Sequence, residues 1–156
     1  MTENKVNTTE DTANREIVTS RLFDAPRELV WKVWTEPEHV AVWWGPDRFR
    51  NTIHVMDVKP GGVWNFIMHG PDGTDYNNKI VFSEILKPEK LVYTHVSGPI
   101  FESTVTFEEI DGKTKVTMRA VFESVDVLEY AIKQFSAVEG AKQTFGRLAD
   151  YLEKVK

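Results

Sequence analysis

The chain has 156 residues, 41% hydrophobic and 28% charged, with a net charge of -5 and no cysteine. These values fit one globular domain able to bury roughly two thirds of its unfolded surface, and they exclude disulfides, zinc-thiolate sites and cysteine nucleophiles. The absence of a dense Lys/Arg cluster argues against nucleic acid as a partner, since phosphate binding needs a basic surface.

Residues Met1 to Asn14 are rich in Thr, Asn and acidic side chains and are expected as a disordered tail, followed by a single domain over 15–156. Glu16 to Phe23 alternates as a first strand. Asp24 and Pro26 then fit a helix start, with a helix to about Thr35 and a second short helix after Pro37 that ends at Gly45 and Pro46. From Phe49 the apolar period becomes two. Strands are predicted at Phe49 to Val58, Val63 to His69, Tyr76 to Leu86, Lys90 to Ser97, Phe101 to Ile110 and Thr114 to Glu123. Gly- and Pro-rich turns separate them, and Asp111-Gly112 is the clearest two-residue hairpin. Connections this short cannot hold crossover helices, so neighbouring strands should run antiparallel.

Asp126 to Val155 reads as one long amphipathic helix, with Leu128, Ile132, Phe135, Phe145, Leu148 and Leu152 on one stripe. Asp126 and Glu129 have the spacing of a capping box, and Gly140 is the weak point of the span. At about 1.5 Å per residue the helix is on the order of 40 Å long and needs an extended sheet to cover it. The fold class is therefore α+β: a seven-stranded antiparallel sheet, two short helices between its first and second strands, and a C-terminal helix against one face. Such a sheet can curve and leave a cavity beneath the helix.

Several segments carry a resemblance that the pattern alone does not supply. Trp43-Trp44-Gly45-Pro46, Asp57 to Trp64, Met68 to Gly73, Glu84-Ile85, Pro88 to Thr94 and Arg147 to Leu152 resemble the family related to the C-terminal domain of the activator of heat-shock protein 90 ATPase. The resemblance covers about Glu16 to Leu152. It implies the helix-grip fold of the START-like, or SRPBCC, superfamily, whose members include lipid and hormone carriers and polyketide cyclases. The chain lacks the separate N-terminal domain of the eukaryotic co-chaperone, which argues against a chaperone partner.

Residues that could carry chemistry are scattered. The four histidines, His39, His54, His69 and His95, form no helical metal-ligand pair, so neither metal nor cofactor is expected. Ser97, Ser103 and Ser136 lie in no nucleophile elbow. Asp57, Asp75, Glu84 and Glu102 could pair for acid/base work, and Glu84 stands out inside the apolar run Ile80 to Leu86, where a buried carboxylate needs a cationic partner. On 49–58, Ile53 and Val55 compete with His54 and Met56 for the inner face, and the pattern leaves the choice open.

The aromatic content is the stronger signal. It points to an internal cavity for a small apolar or aromatic molecule, lined by Trp64, Phe66, Met68, Phe82, Tyr93, Phe122 and Phe135, with Trp43 and Trp44 near its mouth. An enzyme of the cyclase or hydrolase type, with His54, His95 or Glu84 as acid/base groups, is the first alternative; a chaperone-regulating interaction module is the second. The first residues show no basic segment followed by an apolar one, so no leader is expected, and no run approaches the roughly 18 apolar residues of a membrane span. A cytoplasmic protein with no membrane partner, monomeric or homodimeric, is expected.

Overall fold

A computed structural model describes residues 12–156. Seven strands form one antiparallel sheet: β1 (Glu16–Phe23), β2 (Arg50–Met56), β3 (Val63–His69), β4 (Asp75–Leu86), β5 (Lys90–His95), β6 (Phe101–Ile110) and β7 (Lys113–Phe122). Their order, β1-β7-β6-β5-β4-β3-β2, makes the first two strands opposite edges of the sheet. Helices α1 (Arg27–Thr35) and α2 (Pro37–Trp43) connect those edges. This is the expected α+β, helix-grip architecture. The β6–β7 hairpin turns on Asp111 and Gly112, both at positive φ (52° and 80°), the backbone that a two-residue primed turn requires.

Three local expectations are corrected. The C-terminal segment is two helices, α3 (Val125–Phe135) and α4 (Ala137–Val155), broken at Ser136 and not at Gly140. Ser136 adopts the left-handed conformation (φ 51°, ψ 51°), which turns the chain while its N–H still reaches the Ile132 carbonyl at 3.0 Å. Secondly, α3 is capped by Ser124, whose hydroxyl accepts the Val127 N–H at 3.1 Å, and not by Asp126. The third concerns the tail, which lies outside the described residues up to position 11. Its end belongs to the domain, because Thr12 is 3% exposed and its hydroxyl donates to Glu16 Oε2 at 3.0 Å and accepts from Arg119 Nη2 at 2.8 Å.

The core lies on one face of the sheet and has two parts. Under α4, Phe145, Leu148 and Leu152 pack with Trp34, Trp43, Trp64, Phe82 and Phe107. Under α3, Leu128 and Ala131 pack with Ala120 and Phe122. One cation ties α4 to the α2–β2 connection. Arg147 Nη1 donates to the carbonyls of Trp44 (3.0 Å), Gly45 (2.9 Å) and Pro46 (2.8 Å), and Nη2 to those of Val42 (2.8 Å) and Phe49 (3.0 Å). Burial lowers its pKa, and the carboxylate of Asp47 partly offsets that effect.

Lysine offers three donors from one point and cannot reproduce the planar fork. Arg147→Lys is therefore expected to reduce the unfolding free energy by about 2 kcal/mol, measured by urea denaturation, because several partly buried carbonyls lose their donors together. A change within about 0.5 kcal/mol, the size of an ordinary surface substitution, would show that the clamp is passive.

Candidate functional site

Strand pairing carries the inner face across the sheet in continuous rows. Met68 stands opposite Tyr76, Phe66 opposite Asn78, and Trp64 opposite Ile80. Farther along, Ile80 faces His95, Tyr93 faces Ser103, Ser103 faces Ala120, and Val105 faces Met118. Directly opposed residues share a face, so all of these point toward the helices.

Most of the aromatic residues expected to wall a cavity instead pack on one another. Trp64 stacks on Phe66 at 4.5 Å and meets Trp44 edge to face at 4.9 Å, and Trp34 meets Trp43 at 4.9 Å. Trp43 donates its indole N–H to the Val33 carbonyl at 3.0 Å and is core, not mouth. Trp64, Phe66, Phe82, Tyr93 and Phe122 are buried, whereas Phe135 is 45% exposed near the helix break, with Tyr76 at 6.3 Å. Between the two core clusters the covering is incomplete. Met68, Tyr76, Asn78, Phe101 and Met118 all belong to the inner face and all remain half-buried. They form a half-covered strip of that face. Two open grooves also indent the surface, one of about 530 Å³ beside Arg27, Lys90 and Phe107, the other of about 280 Å³ between Pro99-Ile100 and Tyr130. Neither is lined by any residue expected to bind ligand.

Two buried polar groups adjoin the strip, Tyr93, whose hydroxyl is 3.9 Å from Met118 Sδ, and His95. Burial pushes the Tyr93 phenol up to about 12, the hydrogen bond with Ser103 opposing this, so it stays a neutral hydroxyl. His95 is 8% exposed and stacks on Phe101 with centroids 4.9 Å apart. Its Nδ1 lies 2.8 Å from the Pro99 carbonyl oxygen and its Nε2 2.7 Å from Asn78 Oδ1, while Asn78 Nδ2 donates to the Tyr76 carbonyl at 3.0 Å. Two opposing pulls act on this ring. A cradle of two acceptors suits the imidazolium, yet desolvation is the larger influence and lowers the pKa, with the Pro99 hydrogen bond raising it in part. Both ring nitrogens are occupied, so His95 positions Asn78 and the 96–100 turn and offers no free nitrogen to a substrate.

The other acid/base candidates are not gathered here. A β-bulge between Ile53 and Val55 interrupts the alternation of β2. Ile53 and Met56 pack against the core, while His54 and Val55 are exposed. Glu84 follows a second bulge, and its side chain is 44% exposed and 3.4 Å from Lys90 Nζ, an ion pair worth at most about 1 kcal/mol. It is not the buried carboxylate that the flanking apolar run suggests.

A different cluster occupies the outer face. His69 Nε2 is 2.7 Å from Thr52 Oγ1, and His69 Nδ1 is 2.7 Å from Asp75 Oδ1. Sequence reasoning names His69 and Asp75 separately and misses Thr52. The spacing of 52, 69 and 75 has no local period, and only the register of β2, β3 and β4 joins them. Among the described residues no group of three His, Asp or Glu side chains is arranged to hold a metal ion, and no helix is long and apolar enough to cross a membrane.

The model of the family described as Activator of Hsp90 ATPase homolog 1-like protein matches residues 24–153. Among solved structures, a crystal structure from Nitrosomonas europaea is similar at 22% identity and a TM-score of 0.82, covering 92% of this chain and 97% of that one. A solution structure from Arthrobacter aurescens gives 23%, 0.85, 92% and 89%, and a crystal structure from Mycobacterium smegmatis 23%, 0.80, 90% and 91%. No curated protein matches the chain. At such identities the neighbours share the fold, and the chemistry must be tested on this chain's own side chains.

The lowered pKa of His95 gives such a test. In the window between the folded value and the unfolded value of about 6.5 the unfolded chain binds more protons, so stability rises with pH. The contribution is complete above the unfolded value and is lost as pH falls through the folded one. Urea denaturation from about pH 5 to 8 is expected to show this slope in the wild type and a flatter one in His95→Gln. Equal slopes would remove His95 as its source.

Proposed function

The chain belongs to the family of Activator of Hsp90 ATPase homolog 1-like proteins, and within it we propose that this member binds a small, largely apolar or aromatic molecule on the half-covered inner face of its sheet. The observation that carries this reading is the strip itself. Met68, Tyr76, Asn78 and Met118 lie on the face that carries the core, where packing would ordinarily bury them, yet each keeps part of its surface open. Apolar walls with a few convergent polar groups are what small-molecule sites are built from.

On this reading Trp44, Trp64, Phe66, Phe82 and Tyr93 form the floor. Met68, Tyr76 and Met118 contact the ligand, and Phe122 and Phe135 stand on the α3 side. Asn78, held by His95, orients it. The buried indole N–H of Trp64 has no acceptor among the described residues, which favours a ligand carrying a carbonyl or hydroxyl oxygen. The site holds its ligand without a reaction, because the buried histidine has both nitrogens engaged.

The test is tryptophan quenching against fatty acids, flavonoids and aromatic polyketides, with native mass spectrometry of protein purified from its own cells. Saturable quenching is expected for the wild type. Met118→Trp, which fills the strip from β7, should weaken it at least tenfold, equivalent to about 1.4 kcal/mol, while Val55→Thr on the outer face should not. No bound molecule and no saturation would overturn the reading.

A further inference from the structure

We propose that Thr52, His69 and Asp75 form a nucleophilic relay on the outer face of the sheet, in which the Thr52 hydroxyl takes an acyl group from activated acyl esters. The three residues come from adjacent strands β2, β3 and β4. His69 stands directly opposite Asp75, and Thr52 is diagonal to it, beside Ile67. Alternation along β3 puts His69 on the side away from Trp64, Phe66 and Met68, so the relay is separate from the inner strip.

The two contacts, both 2.7 Å, are compatible with one tautomer that activates the hydroxyl. An ionised carboxylate only accepts, so Asp75 Oδ1 requires the proton on His69 Nδ1. The neutral ring then presents a lone pair at Nε2, and the Thr52 O–H donates to it. A hydroxyl aimed into a base whose other nitrogen is held by a carboxylate is the arrangement that activates an alcohol nucleophile. The alternative, a passive cross-strand contact, would add modestly to sheet stability and leave no acyl group on Thr52.

Access and charge agree with the active reading. Thr52 is exposed, β2 is an edge strand, and the side chains of His69 and Asp75 keep 21% and 59% of their surface. Arg50 stands opposite His69 on the same face and forms no ion pair among the described residues. Its guanidinium is the cation available to a developing oxyanion.

In the reaction, Thr52 Oγ1 bonds to the ester carbonyl carbon as its proton passes to His69 Nε2. The carbon–oxygen bond to the leaving alcohol then breaks, and that alcohol takes the proton from Nε2. The product is an acyl ester on Thr52. Water, deprotonated by the same nitrogen, displaces the acyl group as a carboxylic acid and regenerates the hydroxyl. No oxidant, metal or cofactor enters the balance. Thr52 and His69 touch the reacting atoms, and Asp75 is a positioning residue.

The experiment uses the full chain and p-nitrophenyl acetate, followed by nitrophenolate release and by intact and peptide mass. A burst of up to one equivalent, with an acetyl group on the peptide holding Thr52, is expected. Thr52→Ser should retain it, Thr52→Ala should abolish it, and His69→Gln should slow it about 100-fold. Asp75→Asn should slow it and move the His69 imidazole nitrogen resonances to the other tautomer, a change that a merely structural role would not couple to rate. These positions are at the surface, so unchanged circular dichroism and urea midpoints keep the comparison valid. Absence of acetylation, or acetylation that persists in Thr52→Ala, would overturn the proposal without touching the inner-face reading.

Discussion

The structure depends on one guanidinium. Helix α2 is short, and its last carbonyls have no partner within the helix, the ordinary condition of a helix C-terminus. Arg147 supplies donors to Val42, Trp44, Gly45, Pro46 and Phe49, and Asn51 from β2 supplies donors to Ala41 and Trp44. A cation at this end also meets the negative pole of the helix. The consequence is geometric. Because Arg147 is on α4 and Asn51 on an edge strand, satisfying these carbonyls locks the C-terminal helix, the α2 connection and the sheet into one relation. Gly45 belongs to the same lock: it sits at φ 98°, and a Cβ there would lie 2.8 Å from Met68 Cε.

That lock explains why the inner face closes at one end and not at the other. With α4 held against α2 and β2, Phe145 and Leu148 seal the aromatic cluster around Trp34 and Trp64. The chain then turns at Ser136, and α3 packs on Ala120 and Phe122 by a separate small cluster. Two helices meeting at an angle cannot both lie flat on one curved sheet, and the strip of Met68, Tyr76, Asn78 and Met118 is the residue of that mismatch. The same turn leaves Ile132 and Phe135 exposed, which a single helix with one buried stripe would have covered.

Strand limits and the Asp111-Gly112 hairpin were readable because each rests on a local rule. The runs Trp43 to Pro46 and Arg147 to Leu152 were also visible as matching segments, but nothing in a sequence says that the second supplies the donors for the first. Bulges were invisible. An extra residue in β2 reverses the alternation partway, so neither simple pairing of residues 53–56 was right, and His54 turned outward. Glu84 misled for a related reason, since a second bulge moved it off the face that its neighbours imply. The helix break carried no compositional mark either. Serine has no preference for the left-handed region, and its conformation there answers to the packing of both helices.

The four histidines show how far residue type is from role. His39 joins two helices through the Tyr151 hydroxyl at 2.6 Å, a contact between α2 and α4. His54 stands on a bulge in solvent. His95, buried between a carbonyl and an amide oxygen, has its basicity lowered and both nitrogens spent on holding the chain. His69 combines access with a carboxylate on one nitrogen and a hydroxyl on the other, both at 2.7 Å, whereas the carboxylate facing His39, that of Glu36, stands off at 3.6 Å. Burial, the feature usually sought in a catalytic histidine, here marks the one that can only position its neighbours. The histidine equipped to move a proton lies on the open side of the sheet, and the distinction follows from which of its nitrogens is already committed.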